Sequence, residues 1–365
     1  MQGDDLRCQF GAPVLAVCGF SGSGKTTLLE AVIPKLVERG LAIAVVKHDA
    51  HGFEVDKPGK DSDRLFRAGA TVSLSGPEQQ FERRAAGAKL SIEAMLARLC
   101  GEHDLVLVEG HKDTGLAKLW IGSAEESGAP EGVTNVLQTL SWDTDRVTAF
   151  MEFLDAWLPA AWTEHPLYGG LLVGGMSSRM GSPKQMLRFG ECTLGEIAAG
   201  ALTDALGAGF LALGAGELPG GLRSLAQLPD SPGFAGPAAG LISAHRWAPE
   251  AAWIVVACDH PWLRAEHVAW LADQRRPGRW AVIPKQSDGH ACPTLALYEP
   301  QALELLERKS WLERNVRPAI LLDSPHTLSP QIPAEFAEGW KNVNTLQELH
   351  AEEEQLASGN KQDGQ

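Results

Sequence analysis

Gly19-Phe20-Ser21-Gly22-Ser23-Gly24-Lys25-Thr26 fits G-x-x-x-x-G-K-[ST] without a gap. Such a loop binds phosphate. Gly22 and Gly24 let the backbone curl so that several N–H groups converge on an anion. The helix that the loop opens adds favourable potential for that anion. Lys25 would reach the β- and γ-phosphates of a nucleoside triphosphate, and the Thr26 hydroxyl would ligate Mg2+. Glu109 closes an apolar run over residues 105–108. A carboxylate there can hold Mg2+ through water or orient an attacking water, and a purely structural role also fits. Lys47-His48-Asp49-Ala50-His51 and residues 56–62 place more charged groups where an open α/β sheet has its ligand crevice. Taken singly, each is equally a solvated loop residue.

A second glycine loop, Leu172-Val173-Gly174-Gly175-Met176-Ser177-Ser178-Arg179-Met180-Gly181-Ser182-Pro183-Lys184, lacks the G-K-[ST] ending. Its glycines permit close approach to a nucleotide, and Arg179 and Lys184 supply cations for a triphosphate. Asp259 ends an apolar run over residues 254–257, where a Mg2+ bridging phosphates is needed. A cap or turn role suits such an Asp as well. Asp230, in Leu228-Pro229-Asp230-Ser231-Pro232, can accept from N1–H and N2–H2 of guanine, or simply form a turn. Cys258 has no His–acid partner pattern and reads as a small buried residue.

These residues need strands and helices to hold them. Residues 14–18, 42–47 and 104–108 are short apolar runs, and residues 25–39 carry a helical pattern ended by Gly40. Residues 171–173, 210–213 and 253–257 repeat the strand signal, with a helical stretch over 195–206. Strands alternating with helices predict α/β architecture with largely parallel sheets. At 365 residues, two domains are expected. We expect a flexible leader over 1–12, a first domain over 13–160, a second over 166–350 and a flexible tail over 351–365. Pro159 and Pro166 mark the join, read as a helix end and short linker.

The net charge of −14 argues against nucleic-acid or anionic-membrane binding, yet a local nest of N–H groups still holds a triphosphate. No apolar run approaches the roughly 20 residues of a membrane span. The start, Met-Gln-Gly-Asp-Asp, is acidic where a signal peptide is basic, so a cytoplasmic protein is expected. The six cysteines show no C-x-x-C spacing and read as free thiols.

Residues 13–150 resemble the molybdopterin-guanine dinucleotide biosynthesis adapter family. The resemblance rests on residues 19–27, Lys47-His48, residues 55–62 and Val108-Glu109-Gly110. It implies a three-layer α/β/α P-loop NTPase domain that binds GTP through Gly22, Ser23, Gly24, Lys25, Thr26 and Thr27. It also implies weak GTPase activity, with Mg2+ on Thr26 and Glu109.

Residues 168–350 resemble the molybdenum cofactor guanylyltransferases through residues 172–184, Asp230, residues 236–240, Cys258-Asp259, residues 293–297 and Asn342-Val343-Asn344-Thr345. That resemblance implies a Rossmann-like nucleotidyltransferase fold that joins GMP from GTP to molybdopterin or Mo-molybdopterin with Mg2+. GTP contacts fall on Leu172, Val173, Gly174, Lys184, Asp230 and Asp259, and Mg2+ on Asp259. Lys184, Arg179 and Asp259 carry the catalysis. Acceptor molybdoenzymes and other cofactor-synthesis proteins are the implied partners.

This chain departs from the guanylyltransferase pattern in three places. Pro183 stands where an Asp is usual, which makes Pro183-Lys184-Gln185 closer to the cytidylyltransferase relatives. The Asn that bacterial guanylyltransferases offer to GTP is not evident around Gly214-Ala215-Gly216, and Leu346 stands where Pro is common. A cytidylyltransferase, a sugar-phosphate nucleotidyltransferase, and a P-loop regulator with an inactive second domain are therefore the competing readings. Fusion of the halves would raise their effective concentration to roughly millimolar through a short tether.

Overall fold

The computed structural model describes residues 10–47, 55–84, 91–126, 128–174, 181–207, 209–313 and 316–359. Its first half contains β1 (Val14–Gly19), α1 (Lys25–Glu38), β2 (Ile43–Lys47), α2 (Asp61–Arg67), β3 (Val72–Ser75) and β4 (Gln80–Arg83). Then come α3 (Ile92–Cys100), β5 (Leu105–Glu109), β6 (Ala117–Ile121), β7 (Val136–Leu140) and α4 (Arg146–Thr163). Five strands form one sheet in the order β2-β5-β1-β6-β7, parallel throughout. Strands β1 and β5 are buried on both faces, which explains their unbroken apolar runs. β3 and β4 make a separate antiparallel ribbon.

The second half contains β8 (Leu167–Leu172), β9 (Arg188–Phe189), β10 (Cys192–Thr193), α5 (Leu194–Leu206), β11 (Phe210–Leu213), β12 (Gln227–Leu228) and α6 (Pro237–Trp247). It continues through β13 (Ala252–Ala257), α7 (Ala265–Ala272), β14 (Ala281–Val282), β15 (Leu295–Tyr298), α8 (Pro300–Leu312), β16 (Thr327–Leu328) and α9 (Leu346–Gly359). Seven strands make the second sheet, in the order β12-β11-β8-β13-β15-β14-β16. β8 pairs in parallel with both β11 and β13, while β15 runs antiparallel to β13. Apolar side chains fill both faces of this sheet. None of the described helices is long and apolar enough to cross a membrane.

Three expectations change. Residues 10–12 belong to the packed molecule: Phe10 and Ala12 are buried, and the Gly11 carbonyl accepts from Gln301 Nε2 at 2.8 Å. The tail is helical through Gly359, and Glu352 of α9 accepts from Trp262 Nε1 at 2.7 Å. The third concerns the join. Helix α4 runs through Pro159 to Thr163, because Leu158, Ala161 and Trp162 are buried and their packing outweighs one lost backbone hydrogen bond.

No free tether follows that helix. Glu299, fully buried, accepts from Arg275 Nε at 2.9 Å and from Trp162 Nε1 at 3.3 Å, and lies 2.8 Å from His165 Nε2. Gln301 Nε2 donates to the carbonyls of Gly11, Cys100 and His103. Buried Asp104 of the first half accepts from Gly278 N and Trp280 Nε1 of the second, at 3.0 and 2.8 Å. Buried polar groups stripped of such partners would be costly, so this junction holds the halves in contact. A tether model with independent modules does not describe it.

Candidate functional site

The first anion site is local in sequence. Gly22 and Gly24 have φ of 75° and 86°, in the region that favours glycine, and Gly24 caps α1. A Cβ on Gly19 would stand 2.6 Å from Ile121 O and 2.7 Å from Ser23 Oγ, so the loop folds tightly onto β6. Lys25 Nζ donates to the carbonyls of Phe20 and Gly19, at 2.7 and 3.1 Å, which holds the ammonium along the loop. Thr26 Oγ1 donates to Glu109 Oε1 at 2.9 Å, and Lys47 Nζ lies 3.2 Å from the same oxygen.

The hydroxyl and carboxylate are hard oxygen donors in one spot, a set that suits Mg2+ completed by water and phosphate oxygens. The parallel register explains the meeting: Val17 of β1 is level with Glu109 of β5, which is level with Lys47 of β2. His48, Asp49 and His51 lie outside the described residues. Asp56 and Asp63 are tied to Arg83 at 3.2 and 3.0 Å, which is a structural use of that segment's charges. The Gly59 N–H and the arginines hold the Asp63 carboxyl down at about 2.

The second site is assembled from distant segments. Leu172, Val173 and Gly174 leave the end of β8, and Gly174 has φ +104°. A Cβ there would stand 3.4 Å from Gly216 N, so the two loops lie against each other. A cleft of about 430 Å3 opens at this edge of the sheet, lined by Gly174, Lys184, Asp230, Pro237 and Asp259 among others. Lys184 sits on a short 3-10 turn after Pro183. Its ammonium donates to Asp259 Oδ2 at 2.8 Å, Asn344 Oδ1 at 3.0 Å and Val343 O at 3.1 Å. Val343 N donates to Asp259 O at 2.8 Å, which fixes the distant Asn-x-Asn-Thr segment over the end of β13.

Asp259 Oδ1 is buried without a hydrogen-bond partner among the described residues, although His260 Nε2 approaches to 3.5 Å. Burial pushes the His260 imidazole below its usual range, so it stays neutral there. An orphaned carboxylate oxygen facing a neutral ring fits a cation, and a single carboxylate plus substrate phosphates is an ordinary Mg2+ arrangement. The Cys258 thiol is pushed up by burial and by Asp259 and donates to Leu172 O, as suits a structural residue. Arg179 and Gly175 lie outside the described residues.

Asp230 follows β12 and has no hydrogen-bond or ion-pair partner among the described residues; partial burial raises its carboxyl above the usual range. Two glutamines brace the neighbouring loop. Gln227 Nε2 donates to Gly214 O at 2.7 Å and Gly216 O at 2.9 Å. Gln185 Nε2 donates to Glu217 O at 2.9 Å and its side chain is buried, so it is spent on the scaffold. A Cβ on Gly214 would stand 2.0 Å from Val173 O, and this glycine has φ +117°. Gln227 belongs to no phosphate motif, so its place in the sequence carries no signal of this role.

Relatives agree with this division. The family model for molybdopterin guanine dinucleotide synthesis protein B matches residues 14–140, and that for the MobA-like NTP transferase domain matches residues 169–323. The molybdopterin-guanine dinucleotide biosynthesis adapter protein of Haemophilus influenzae is 34% identical over 159 residues, covering 40% of this chain and 89% of that protein. A probable molybdenum cofactor guanylyltransferase of Opitutus terrae is 35% identical over 149 residues, covering 39% of this chain and 71% of that one. The molybdenum cofactor biosynthesis bifunctional protein of Synechocystis is 28% identical over 148 residues, covering 40% and 43%. The chain thus belongs to the MobB adapter family in its first domain and to the MobA-like nucleotidyltransferase family in its second.

Proposed function

We propose that the second domain transfers GMP from GTP to molybdopterin or Mo-molybdopterin, with release of pyrophosphate, and that the first is a GTP-binding adapter with weak GTPase activity. The meeting of Lys184, Asp259 and Asn344 at the mouth of a nucleotide-sized cleft supports this reading most strongly. The terminal phosphate of the pterin is the nucleophile. Its oxygen bonds to the α-phosphorus as the bond to the β-phosphate oxygen breaks, and pyrophosphate leaves. That nucleophile is already anionic, so no strong general base is required. Positioning and charge neutralisation suffice.

Lys184 supplies a point charge to the triphosphate, with Arg179 as a second cation. Leu172, Val173 and Gly174 supply close backbone approach. Asp259 would hold Mg2+, which neutralises charge on the phosphates when bound. The Asp230 carboxylate accepts from the two donors on the Watson–Crick edge of guanine, a pairing that cytosine cannot offer. That free carboxylate favours GTP over CTP despite Pro183-Lys184-Gln185, because Gln185 is occupied by Glu217.

In the first domain, Thr26 and Glu109 would hold Mg2+, with Ser23, Gly24, Lys25 and Thr27 on the phosphates. A cytoplasmic setting and hand-over to acceptor molybdoenzymes complete the proposal. The test is pyrophosphate release by the purified chain with molybdopterin, Mg2+ and either GTP or CTP. GTP is expected to be preferred by at least tenfold. Equal or better use of CTP overturns the base assignment, and no release with either overturns the transferase reading.

A further inference from the structure

Arg146 is the first residue of α4, behind an Asp145 cap whose carboxylate accepts from Thr148 N at 3.2 Å. Its half-buried guanidinium spends its donors on main-chain carbonyls. Nη1 donates to Ser23 O at 2.8 Å, Nε donates to Ser141 O at 3.0 Å, and Nη2 donates to Gly122 O. Those carbonyls belong to three loops, which follow β1, β6 and β7. These strands are neighbours in the sheet and run parallel, so their carboxyl ends, and the three loops, meet at one edge. That edge is where an open α/β sheet takes its ligand.

One fork thus ties together every loop on one side of the first anion site. Only an arginine offers donors in three directions with a charge that never leaves. The consequence for the phosphate cradle follows from the peptide unit. In a trans peptide the C=O and the next N–H point in opposite directions. Ser23 O held on Arg146 therefore turns the Gly24 N–H the opposite way, away from the guanidinium, and fixes the orientation of that peptide within the loop. The guanidinium also lies close behind the loop, since a Cβ on Gly24 would stand 3.4 Å from Nη1.

We propose that Arg146 is a positioning residue for the nucleoside triphosphate at Gly19–Thr26, setting the direction of the cradle's N–H groups and the register of the flanking loops. This rests on the reading of the first domain as a GTP-binding one. Removing it weakens binding of the triphosphate more than it slows hydrolysis.

The experiment uses the full chain and a non-hydrolysable GTP analogue, with first-site binding defined as the calorimetric component that Lys25→Ala abolishes. Arg146→Met is expected to weaken that component at least tenfold. In phosphate release from GTP, KM rises by a similar factor while kcat stays within threefold. Arg146→Lys, which keeps the charge but not the fork, is expected to recover part of the affinity. It also carries the test if Arg146→Met fails to fold. Affinity within twofold of the parent in a folded Arg146→Met or Arg146→Lys chain overturns the proposal. So does a fall in melting temperature with KM unchanged, which would mark a merely structural role. A parent chain with no Lys25-dependent binding overturns the GTP-binding reading of the first domain together with this proposal.

Discussion

The two anion sites solve the same electrostatic problem with opposite economies of sequence. In the first, the loop over residues 19–26 carries its own glycines, lysine and hydroxyl, and Lys25 rests on carbonyls of that same loop. In the second, Lys184 reaches Asp259 and Asn344, 75 and 160 positions away in the chain. A local cradle is a holder that works wherever a strand feeds a helix. A site assembled from four segments ties its geometry to the whole domain, which is what positioning two substrates for in-line transfer demands. The first site is suited to holding a nucleotide, the second to reacting one.

That contrast can be broken by mutation. The largest effect is expected at Asp259→Ala, where loss of the carboxylate should lower transfer by about 10²–10⁴-fold with the fold intact. Pyrophosphate release and circular dichroism read the two quantities, and near-normal turnover would remove Asp259 from the site. Next is the junction. Glu299→Ala leaves Arg275 buried without its carboxylate and is expected to cost about 3–5 kcal/mol in denaturant unfolding.

Burial alone would raise the Glu299 carboxyl, but Arg275 and His165 overcome it and hold it below the usual range. Its folded pKa is thus depressed, so its contribution is present above the unfolded value of about 4.3 and is lost as pH falls through the folded one. Melting curves should show the parent losing more stability than Glu299→Gln on acidification below about pH 4. Equal slopes would contradict the assignment.

Smaller effects bear on each site alone. Glu109→Gln should weaken the Mg2+ dependence of phosphate release by about 10- to 100-fold, as loss of a partner of the Thr26 hydroxyl implies. A magnesium titration reads it, and an unchanged midpoint would assign Glu109 to structure. Gln227→Ala removes two hydrogen bonds to the loop beside Asp230 and should raise KM for GTP by about three- to tenfold, with kcat little altered.

The difference between the sites also decided what could be read in advance. The P-loop, its flanking strand and helix, and the meeting of Thr26 with Glu109 were legible because each constraint is local or follows from strand ends in a parallel sheet. Lys184, Asp230 and Asp259 were legible as separate motif fragments. Only the resemblance joined Lys184 to Asp259; the contact itself follows from β8 and β13 lying side by side in parallel, and the arrival of Asn344 from 160 positions away left no mark in the sequence spacing. Pro159 read as a helix end, but burial of Trp162 at the junction keeps α4 going. Arg146 and Gln227 act on backbone carbonyls, and a carbonyl leaves no trace in side-chain spacing. The domain junction was invisible in part for the same reason, since Gln301 spends its amide on three main-chain oxygens, and in part because Glu299 and Asp104 meet partners far away in the chain.

In the proposed division of labour, the second site moves a nucleoside monophosphate and the first does not. Incubating the chain with molybdopterin and GTP labelled at either the α- or the γ-phosphate tests it directly. The α label is expected to join the pterin and the γ label to leave in pyrophosphate. Release of the γ label only as orthophosphate, with no α label on the pterin, would contradict it.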